Sequence, residues 1–400
     1  MKATHGSRHG RFMVRQAHHE AGVGRWDAEE EAVRHAEIAG AGFAGLTAAI
    51  ALRQRGWSVR VHEADAELRA FGAGIFIWEN GLRVLKAIGA YDDVVAGAYA
   101  APGYHTSRDG ERLAYERING ANRFRLLTMT RQHLYAAILA AARRMDIEII
   151  TSSAATGAAP EGVLHLADGR SMPADLVIGA DGVRSAVRDS LGLIDARNKY
   201  QDGIIRVLVG RATLKGGVWD DVIDFWSFSP RPLRILYTPC GEDDLYMAMM
   251  APTADREASS IPVNAEVWIR SFPQLAPALS AIGDRGRYDL YETTTLKRWS
   301  AGRTALIGDA AHAMPPTLAQ GAGCAMMNAL SLAVAVSDAD DIDAALRRWE
   351  ARERPLTDHT QSRAAHLAGS RALADGMPWE DDCFRAARHI PTGTPPQMHL

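Results

Sequence analysis

The sequence predicts an α/β protein in which a Rossmann-like dinucleotide-binding domain has a mixed β-sheet domain inserted into it. Two observations lead to this fold class. Residues 38–63 have the pattern of a strand, a tight glycine turn, a helix and a second strand, the order of a βαβ nucleotide-binding unit. Residues 204–296 instead form short alternating runs typical of strands and contain no second nucleotide-binding fingerprint. A chain of 400 residues is long enough for both domains.

The first βαβ unit contains the G-x-G-x-x-G formed by Gly40, Gly42 and Gly45. One glycine makes the turn, one lets backbone amides approach a pyrophosphate, and one packs the helix on the strand. Glu63 ends the second strand about twenty residues after the glycines, where an acidic side chain binds a ribose hydroxyl. A glycine turn without a ligand is the alternative, but the strand and helix around the motif favour a dinucleotide site.

Composition excludes several classes of function. The formal net charge of −3 provides no basic field for nucleic acid, and no apolar run is long enough to span a membrane. Cys240, Cys324 and Cys383 are scattered, which indicates free thiols in a reducing cytoplasm, and no metal site is expected. Residues 1–35 lack apolar periodicity and predict a disordered N-terminal extension, and residues 376–400 predict a loose C-terminal tail.

A second motif lies in residues 175–188, where a buried strand runs into Gly179-Ala180-Asp181-Gly182 and then a helix containing Ser185 and Arg188. A strand that ends in Asp-Gly can bring a carboxylate to a bound nucleotide. An aspartate that only caps the helix is the alternative.

A third motif lies in residues 303–330. A strand ends at Gly308-Asp309, a proline-containing loop follows, and Gly321-Ala322-Gly323 opens a long apolar helix. Exposed amides at such a helix start suit a partly anionic ligand atom.

The three motifs, in this order, resemble those of the single-component FAD-dependent aromatic monooxygenases with the para-hydroxybenzoate hydroxylase fold, over residues 36–370. The resemblance implies a cofactor domain of the glutathione-reductase type and a separate substrate domain. The cofactor domain would comprise residues 36–98, 130–200 and 297–375, and the substrate domain residues 99–129 and 201–296.

The same resemblance implies bound FAD, with NADH or NADPH and O2 as co-substrates and a C4a-hydroperoxyflavin as the oxygenating species. The positions that it assigns to the cofactor are Gly40, Gly42, Phe43, Ala44, Gly45, Glu63, Arg69, Arg131, Asp181, Gly182, Gly308, Asp309, Pro316, Gly321, Ala322 and Gly323.

Four segments, ELRAFGAGI, NGLRVL, RILYTPC and AHAMPPTLAQGAGCAM, are similar to those of the oxygenases that hydroxylate and open a hydroxypyridine carboxylate ring in vitamin B6 degradation. This resemblance implies a small aromatic carboxylate as substrate. Its binding residues would be Arg234 and Tyr246 on the carboxylate, Tyr104 and Tyr291 through water, and Phe76 and Pro316. Phe76 departs from the pattern, because those oxygenases have a tyrosine there.

Arg234 has two interpretations on sequence grounds alone. It lies in an alternating strand and could bind a ligand carboxylate through its planar fork, or stand in water or in an internal salt bridge. No side chain is assigned as a catalytic acid or base, since a 3-hydroxypyridine can ionise its own hydroxyl and His312 has a structural role at its place in the loop. The rival functions are hydroxylation of a carbocyclic acid such as a hydroxybenzoate, and a flavin-binding redox sensor. The choice of NADH or NADPH and the oligomeric state stay open.

Overall fold

The computed structural model describes residues 33–68, 72–120, 125–211, 213–370 and 385–389, which belong to one unit beginning at Val33. Arg69 and nearly all of the predicted N-terminal extension and C-terminal tail lie outside the described residues. The exceptions are 33–35 at one end and 385–389 at the other. Residues 385–388 are helical, and Ala386 and Ala387 are buried.

A six-stranded sheet forms the centre of the first domain. Its strands are β1 (His35–Ala39), β2 (Ser58–His62), β7 (Glu148–Ile150), β11 (Leu176–Gly179), β17 (Ser300–Ala301) and β18 (Thr304–Leu306). Their order is β17-β18-β11-β1-β2-β7, and all neighbours are parallel except β17 and β18. The carboxyl ends of β1, β11 and β18 therefore lie side by side at one edge, and each of the three motifs begins there.

Some of the helices cover this sheet, and others belong to the second domain. They are α1 (Phe43–Arg53), α2 (Glu79–Ala87), α3 (Tyr91–Ala96), α4 (Arg131–Arg144), α5 (Ala186–Ser190), α6 (Ala265–Ser271), α7 (Ala276–Ser280), α8 (Asp309–His312), α9 (Gly321–Ser337) and α10 (Ile342–Ser370). Helix α1 is buried on nearly every side from Ala44 to Leu52, because it packs against both the sheet and α9. Its small, helix-favouring side chains permit that close approach.

The second domain is built on a seven-stranded mixed sheet. Its strands are β4 (Gly103–Arg108), β5 (Glu111–Arg117), β12 (Ile194–Gly210), β13 (Val222–Ser227), β14 (Leu233–Pro239), β15 (Asp244–Pro252) and β16 (Tyr288–Leu296). They lie in the order β16-β12-β15-β14-β13-β4-β5, with only β13 and β4 parallel to each other. This is the inserted mixed sheet that the alternating pattern predicts, so the predicted fold class is confirmed.

Two small sheets complete the described structure. Strands β3 (Gly74–Trp78) and β6 (Leu126–Thr130) form an antiparallel pair. Strands β8 (Ala155–Ala159), β9 (Val163–Leu166) and β10 (Ser171–Pro173) form an antiparallel meander, which contains the hairpin predicted around residues 163–169. The assignment of exact residue ranges to the two domains stays a prediction.

The two faces of the seven-stranded sheet have different roles. One face packs Ile205, Ile235, Met247 and Met249 against α6 and α7 in a wholly apolar cluster. The opposite face forms a second cluster with parts of the first domain, and this cluster includes Tyr104, Tyr246 and Tyr291. Because side chains alternate across a strand, each strand of this sheet contributes to both clusters. The tyrosine-bearing face is the one that contributes to the candidate site.

Candidate active site

The glycine turn after β1 has the backbone geometry of a phosphate cradle. Gly40 has φ +99°, and a Cβ there would lie 2.4 Å from the Ala180 carbonyl oxygen. A Cβ on Gly45 would lie 1.9 Å from the Gly40 carbonyl oxygen, so this glycine lets α1 pack on the turn. A Cβ on Gly42 would meet nothing within 4 Å. The second glycine thus faces open space at the start of α1, where the helix dipole favours an anion.

Glu63 lies beside this turn, just after β2. One of its carboxylate oxygens accepts a hydrogen bond of 2.8 Å from the Ala41 amide, and the other accepts one of 3.0 Å from the Asp65 amide. The carboxylate is therefore held at the rim of the cradle. This placement is compatible with the predicted contact to a ribose hydroxyl, which would use the remaining acceptor capacity of the two oxygens.

The second motif combines the two roles considered for Asp181. Ser185 is the helix cap of α5, since its hydroxyl accepts a 2.9 Å hydrogen bond from the Arg188 amide. Asp181 also helps, because one carboxylate oxygen accepts a 3.1 Å bond from the Val187 amide. Its other oxygen is buried and has no hydrogen-bond partner among the described residues. A buried, unpaired carboxylate oxygen beside Gly182 fits a hydroxyl group of a bound dinucleotide.

The third motif brings a second buried carboxylate to the same edge. Gly308 has φ +61° and directs the chain into α8, where Asp309 is the first residue. Burial raises the pKa of Asp309, and the guanidinium groups of Arg131 and Arg206 oppose that rise. Pro316 begins a short 3-10 helix, and α9 then starts at Gly321, whose Cβ position is open. The helix start at Gly321 therefore presents a backbone amide next to free space, whereas Gly323 packs closely on the Gln320 and Asn80 side chains.

Arg131 lies at the start of α4 and connects the first motif to the third. Its guanidinium group is 5.1 Å from the centre of the Phe43 ring. Burial lowers the pKa of Arg131, as does nearby Arg206, whereas Asp309 raises it. These elements form one lining, made of the glycine turn, Asp181, Asp309 and Arg131. It includes the open turn at Gly42 and the buried Asp181 oxygen that has no partner among the described residues. These residues fit an extended dinucleotide such as FAD.

The predicted substrate residues project from one face of the seven-stranded sheet. Arg234 pairs with Met250 across β14 and β15 and with Trp226 across β13 and β14. Tyr246 pairs with Leu208 on β12, and Tyr104 pairs with Val222 on β13. Directly paired residues point to the same side of a sheet. The structure therefore gathers Arg234, Tyr246 and Tyr104 on one surface, and burial raises the pKa of each tyrosine.

Arg234 forms an internal salt bridge with Asp224, one of the two arrangements that the sequence left open. The Arg234 Nε and Nη2 atoms donate to the two carboxylate oxygens of Asp224 at 2.7 and 3.0 Å. The Asp224 side chain is fully buried and that of Arg234 is 14 % exposed. Burial opposes the charge on Arg234, but Asp224 outweighs it and raises the pKa of Arg234. One edge of the guanidinium fork is thus already occupied.

Two further contacts fix the position of this ion pair. The Arg234 guanidinium lies 4.6 Å from the centre of the Trp226 ring. The buried Tyr104 hydroxyl is hydrogen-bonded to the Arg234–Asp224 pair. Only the edge of Arg234 that faces away from Asp224 can therefore meet a ligand, which makes Arg234 a weaker anchor than an unpaired fork.

Arg206 is a candidate site residue that sequence reasoning missed. It lies on β12 opposite Ala248, on the same face as Tyr246, and pairs with Asp289 at 3.1 Å. Its charge acts on Tyr246, Tyr291, Arg131 and Asp309, so it lies between the substrate face and the cofactor lining. The signal was present as Ile204-Arg206-Leu208, a cation on the apolar face of an alternating strand.

Tyr246 and Phe76 belong to the apolar wall around these charges. A Cβ on Gly74 would lie 2.5 Å from the Tyr246 Cβ, so the tyrosine packs directly on glycine backbone. Tyr291 is 5 % exposed in the same cluster. Pro316 is exposed at the mouth of the third motif. Four of the predicted substrate residues, Phe76, Tyr104, Tyr246 and Tyr291, thus pack in one cluster on the sheet face that also carries Arg234. The roles that the resemblance implies for them stay predictions.

His312 has a structural environment. Its Nε2 lies 3.0 Å from the Asn328 amide nitrogen, and its ring lies 5.4 Å from that of Trp299. Burial lowers the pKa of His312 to about 4, so it is neutral at neutral pH.

Across the described ranges, no group of three His, Cys, Asp or Glu side chains is arranged to hold a metal. Nor does that part of the chain contain a helix with the length and hydrophobicity needed to cross a membrane.

Comparison with known proteins identifies relatives of this chain. A family model described as FAD binding domain matches residues 34–353. The chain is 40 % identical to 2-heptyl-3-hydroxy-4(1H)-quinolone synthase of Mycobacteroides abscessus, covering 82 % of this chain and 88 % of that protein. It is 30 % identical to 6-hydroxynicotinate 3-monooxygenase of Pseudomonas fluorescens, covering 74 % and 80 % respectively.

A solved structure of an oxygenase is also similar to this chain, with a higher sequence identity. The tetrameric form of 2-methyl-3-hydroxypyridine-5-carboxylic acid oxygenase is 48 % identical and superposes with a TM-score of 0.86. That alignment covers 90 % of this chain and 97 % of the other. The match extends over both domains, so it includes the tyrosine-bearing sheet as well as the cofactor lining.

Proposed function

This chain belongs to the family of FAD-dependent aromatic monooxygenases, and from that premise we propose that it uses NAD(P)H and O2 to hydroxylate, with ring opening, a hydroxypyridine carboxylate or a related N-heterocyclic acid. One observation supports this substrate class above the others. Arg206, Arg234 and three buried tyrosines converge on one sheet face. Both arginines are ion-paired within the protein, but a guanidinium has five N–H donors, and those not used by the ion pair suit a ring that bears an anionic group. The 48 % identity to an oxygenase of a hydroxypyridine carboxylate supports the same class.

FAD, when bound, would relay the reducing equivalents of NAD(P)H and supply the site at which O2 is activated. The chain's own contribution is to hold that cofactor. The glycine turn would receive the pyrophosphate, Glu63 a ribose hydroxyl, and Asp181 a further hydroxyl through its orphaned oxygen. The amides at the start of α9 would stabilise negative charge on the cofactor ring.

The tyrosines act as donors in this proposal. Burial raises the pKa values of Tyr104, Tyr246 and Tyr291, so each keeps its proton at neutral pH. Tyr246 and Tyr291 can therefore donate to a carboxylate or a ring oxygen, whereas the Tyr104 hydroxyl is already bonded to the Arg234–Asp224 pair and helps to position Arg234. None of the three can remove a proton from the substrate. His312 is neutral and its Nε2 faces the Asn328 amide, so in this proposal neither it nor the tyrosines act as the base, and the ring hydroxyl of the substrate supplies its own activation by ionising.

A quinolone ring is the second candidate substrate. The 40 % identity to a quinolone synthase favours it. So does the Arg234–Asp224 pair, because a cation already neutralised by a buried carboxylate does not require an anionic ligand. A neutral ring would then be held by the tyrosine hydroxyls and by apolar contacts.

A panel of ring compounds separates the two candidates. Purified yellow protein would be tested for substrate-stimulated oxidation of NADH and of NADPH with hydroxypyridine carboxylates, 4-quinolones and hydroxybenzoates, and the products would be identified by mass spectrometry. Stimulation by a hydroxypyridine carboxylate with a ring-opened product supports the proposal. A hydroxylated 4-quinolone with its ring intact supports the second candidate, and a hydroxybenzoate as the best substrate contradicts both.

We also propose that the protein is oligomeric and that it acts in the cytoplasm. The tetrameric form of the 48 % identical oxygenase supports an oligomer. Cys240 and Cys324 are buried free thiols, and burial raises the pKa of Cys324 to about 12. Thiols of that kind are compatible with the cytoplasm.

A further inference from the structure

A cleft opens beside Arg234 on the substrate face of the seven-stranded sheet. Trp226 and Phe228 form one side, and Leu367 and Ala368 of α10 form another. None of these four side chains was among the predicted site residues. The predicted site therefore does not account for this part of the cleft.

The aromatic side of the cleft is ordered but incompletely covered. The Trp226 and Phe228 rings are stacked, with centres 6.1 Å apart and planes 8° from parallel. Phe228 is nevertheless 46 % exposed. A large exposed aromatic ring that is held in place by stacking provides apolar area which a ligand could remove from water.

The inner end of the cleft is shared with the candidate substrate site. Arg234, Tyr291 and Met250 line the cleft. Tyr291 and Met250 also belong to the apolar cluster that contains Tyr246 and Phe76. The cleft thus adjoins the cluster at which the aromatic ring would be bound, and it also includes the exposed Phe228.

We propose that this cleft is a subsite for an apolar chain, such as an n-alkyl group of several carbons, attached to the substrate ring. The inference rests on the proposed ring hydroxylation, since the ring must occupy the adjoining site for its substituent to enter the cleft. The ring and any anionic group stay near Arg206 and the tyrosines. The chain runs past Arg234 and lies against Trp226, Phe228 and Leu367.

Binding of a homologous series tests the subsite directly. The probes are 4-quinolones and hydroxypyridine carboxylates with methyl, propyl, pentyl and heptyl substituents, and Kd is measured on the FAD-loaded protein from the change in the flavin spectrum. Each buried methylene should lower Kd about four-fold, equivalent to about 0.8 kcal/mol, until the cleft is filled. Two variants should weaken this dependence. Phe228→Ala removes one side of the cleft, and Ala368→Phe fills it.

His366→Phe is the matched control, because His366 is exposed on the same helix and does not line the cleft. It should keep the wild-type dependence on chain length. Should Ala368→Phe fail to fold, Phe228→Ala suffices, since its side chain is half exposed. A Kd that is independent of chain length in the wild type overturns the subsite, as does an unchanged dependence in Phe228→Ala. Absence of stimulated NAD(P)H oxidation with every ring would instead contradict the proposed function, because the Kd series does not depend on turnover.

Discussion

Replacement of Arg234 by methionine tests whether the Arg234–Asp224 pair is primarily part of the sheet or of the substrate site. Methionine keeps most of the apolar stem but removes the guanidinium group. Asp224, whose side chain is fully buried, then has no counter-ion. Removal of one partner of a buried ion pair costs about 3–5 kcal/mol, because the other charge is left uncompensated. We therefore expect Arg234→Met to be markedly destabilised at pH 7.

The double variant Asp224→Asn/Arg234→Met removes the orphaned charge. It should regain most of the lost stability, since neutral replacement of a buried pair is often nearly neutral in energy. The midpoint of urea unfolding at pH 7, followed by tryptophan fluorescence, measures the stability of the single and the double variant.

Arg347→Met is the matched control. Arg347 forms an ion pair with Asp343 on α10, but its side chain is 59 % exposed. Loss of such a pair should cost no more than about 1 kcal/mol. The reasoning is refuted if Arg234→Met is as stable as this control, or if the double variant is no more stable than Arg234→Met.

The same double variant isolates the contribution of Arg234 to binding. Only the edge of the guanidinium that faces away from Asp224 is available to a ligand, so its loss should weaken binding of an aromatic acid about ten- to a hundred-fold. The decarboxylated analogue should bind equally to both proteins. Equal binding of the acid by wild type and double variant would assign the carboxylate to another residue, such as Arg206.

Three other variants examine the cofactor lining and its surroundings. Gly42→Val should purify folded but colourless, because its side chain points into the open cradle, whereas Gly369→Val, also with an open Cβ position, should stay yellow. Gly45→Ala should instead lower thermal stability, since a Cβ there would lie 1.9 Å from a carbonyl oxygen; a melting temperature like that of the wild type would contradict this. His312→Asn should flatten the pH dependence of stability. Because burial lowers the pKa of His312 from 6.5 to about 4, the wild type should lose up to about 3 kcal/mol as the pH falls through that window, and equal slopes in urea unfolding would refute the assignment.

The backbone geometry of the three motifs could be predicted from sequence because each motif is local. The spacing of three glycines, or of Asp181 and Ser185, is set by one turn, and the turn alone dictates the backbone geometry. Parallel strands then bring these turns to one edge of the sheet, a property of the fold class that needs no knowledge of side-chain packing.

The substrate face was less predictable because it depends on register between strands. Asp224 and Arg234 are ten residues apart on neighbouring strands, and a shift of one residue would place them on opposite faces. Sequence therefore left the salt bridge as one of two alternatives. Arg206 was missed for a related reason, since its neighbours Tyr246, Arg131 and Asp309 come from three different elements.

The contact between Gly74 and Tyr246 restricts the order in which this site can change. While the tyrosine is present, any side chain at position 74 would overlap its ring, so position 74 accepts only glycine. If Tyr246 were first replaced by a small residue, position 74 would become free to vary. A later return to tyrosine would then be blocked by whatever side chain had appeared there. Loss of Tyr246 is thus easier than its return once position 74 has changed. Libraries that randomise Tyr246 should therefore keep Gly74 fixed if the original activity is to be recovered.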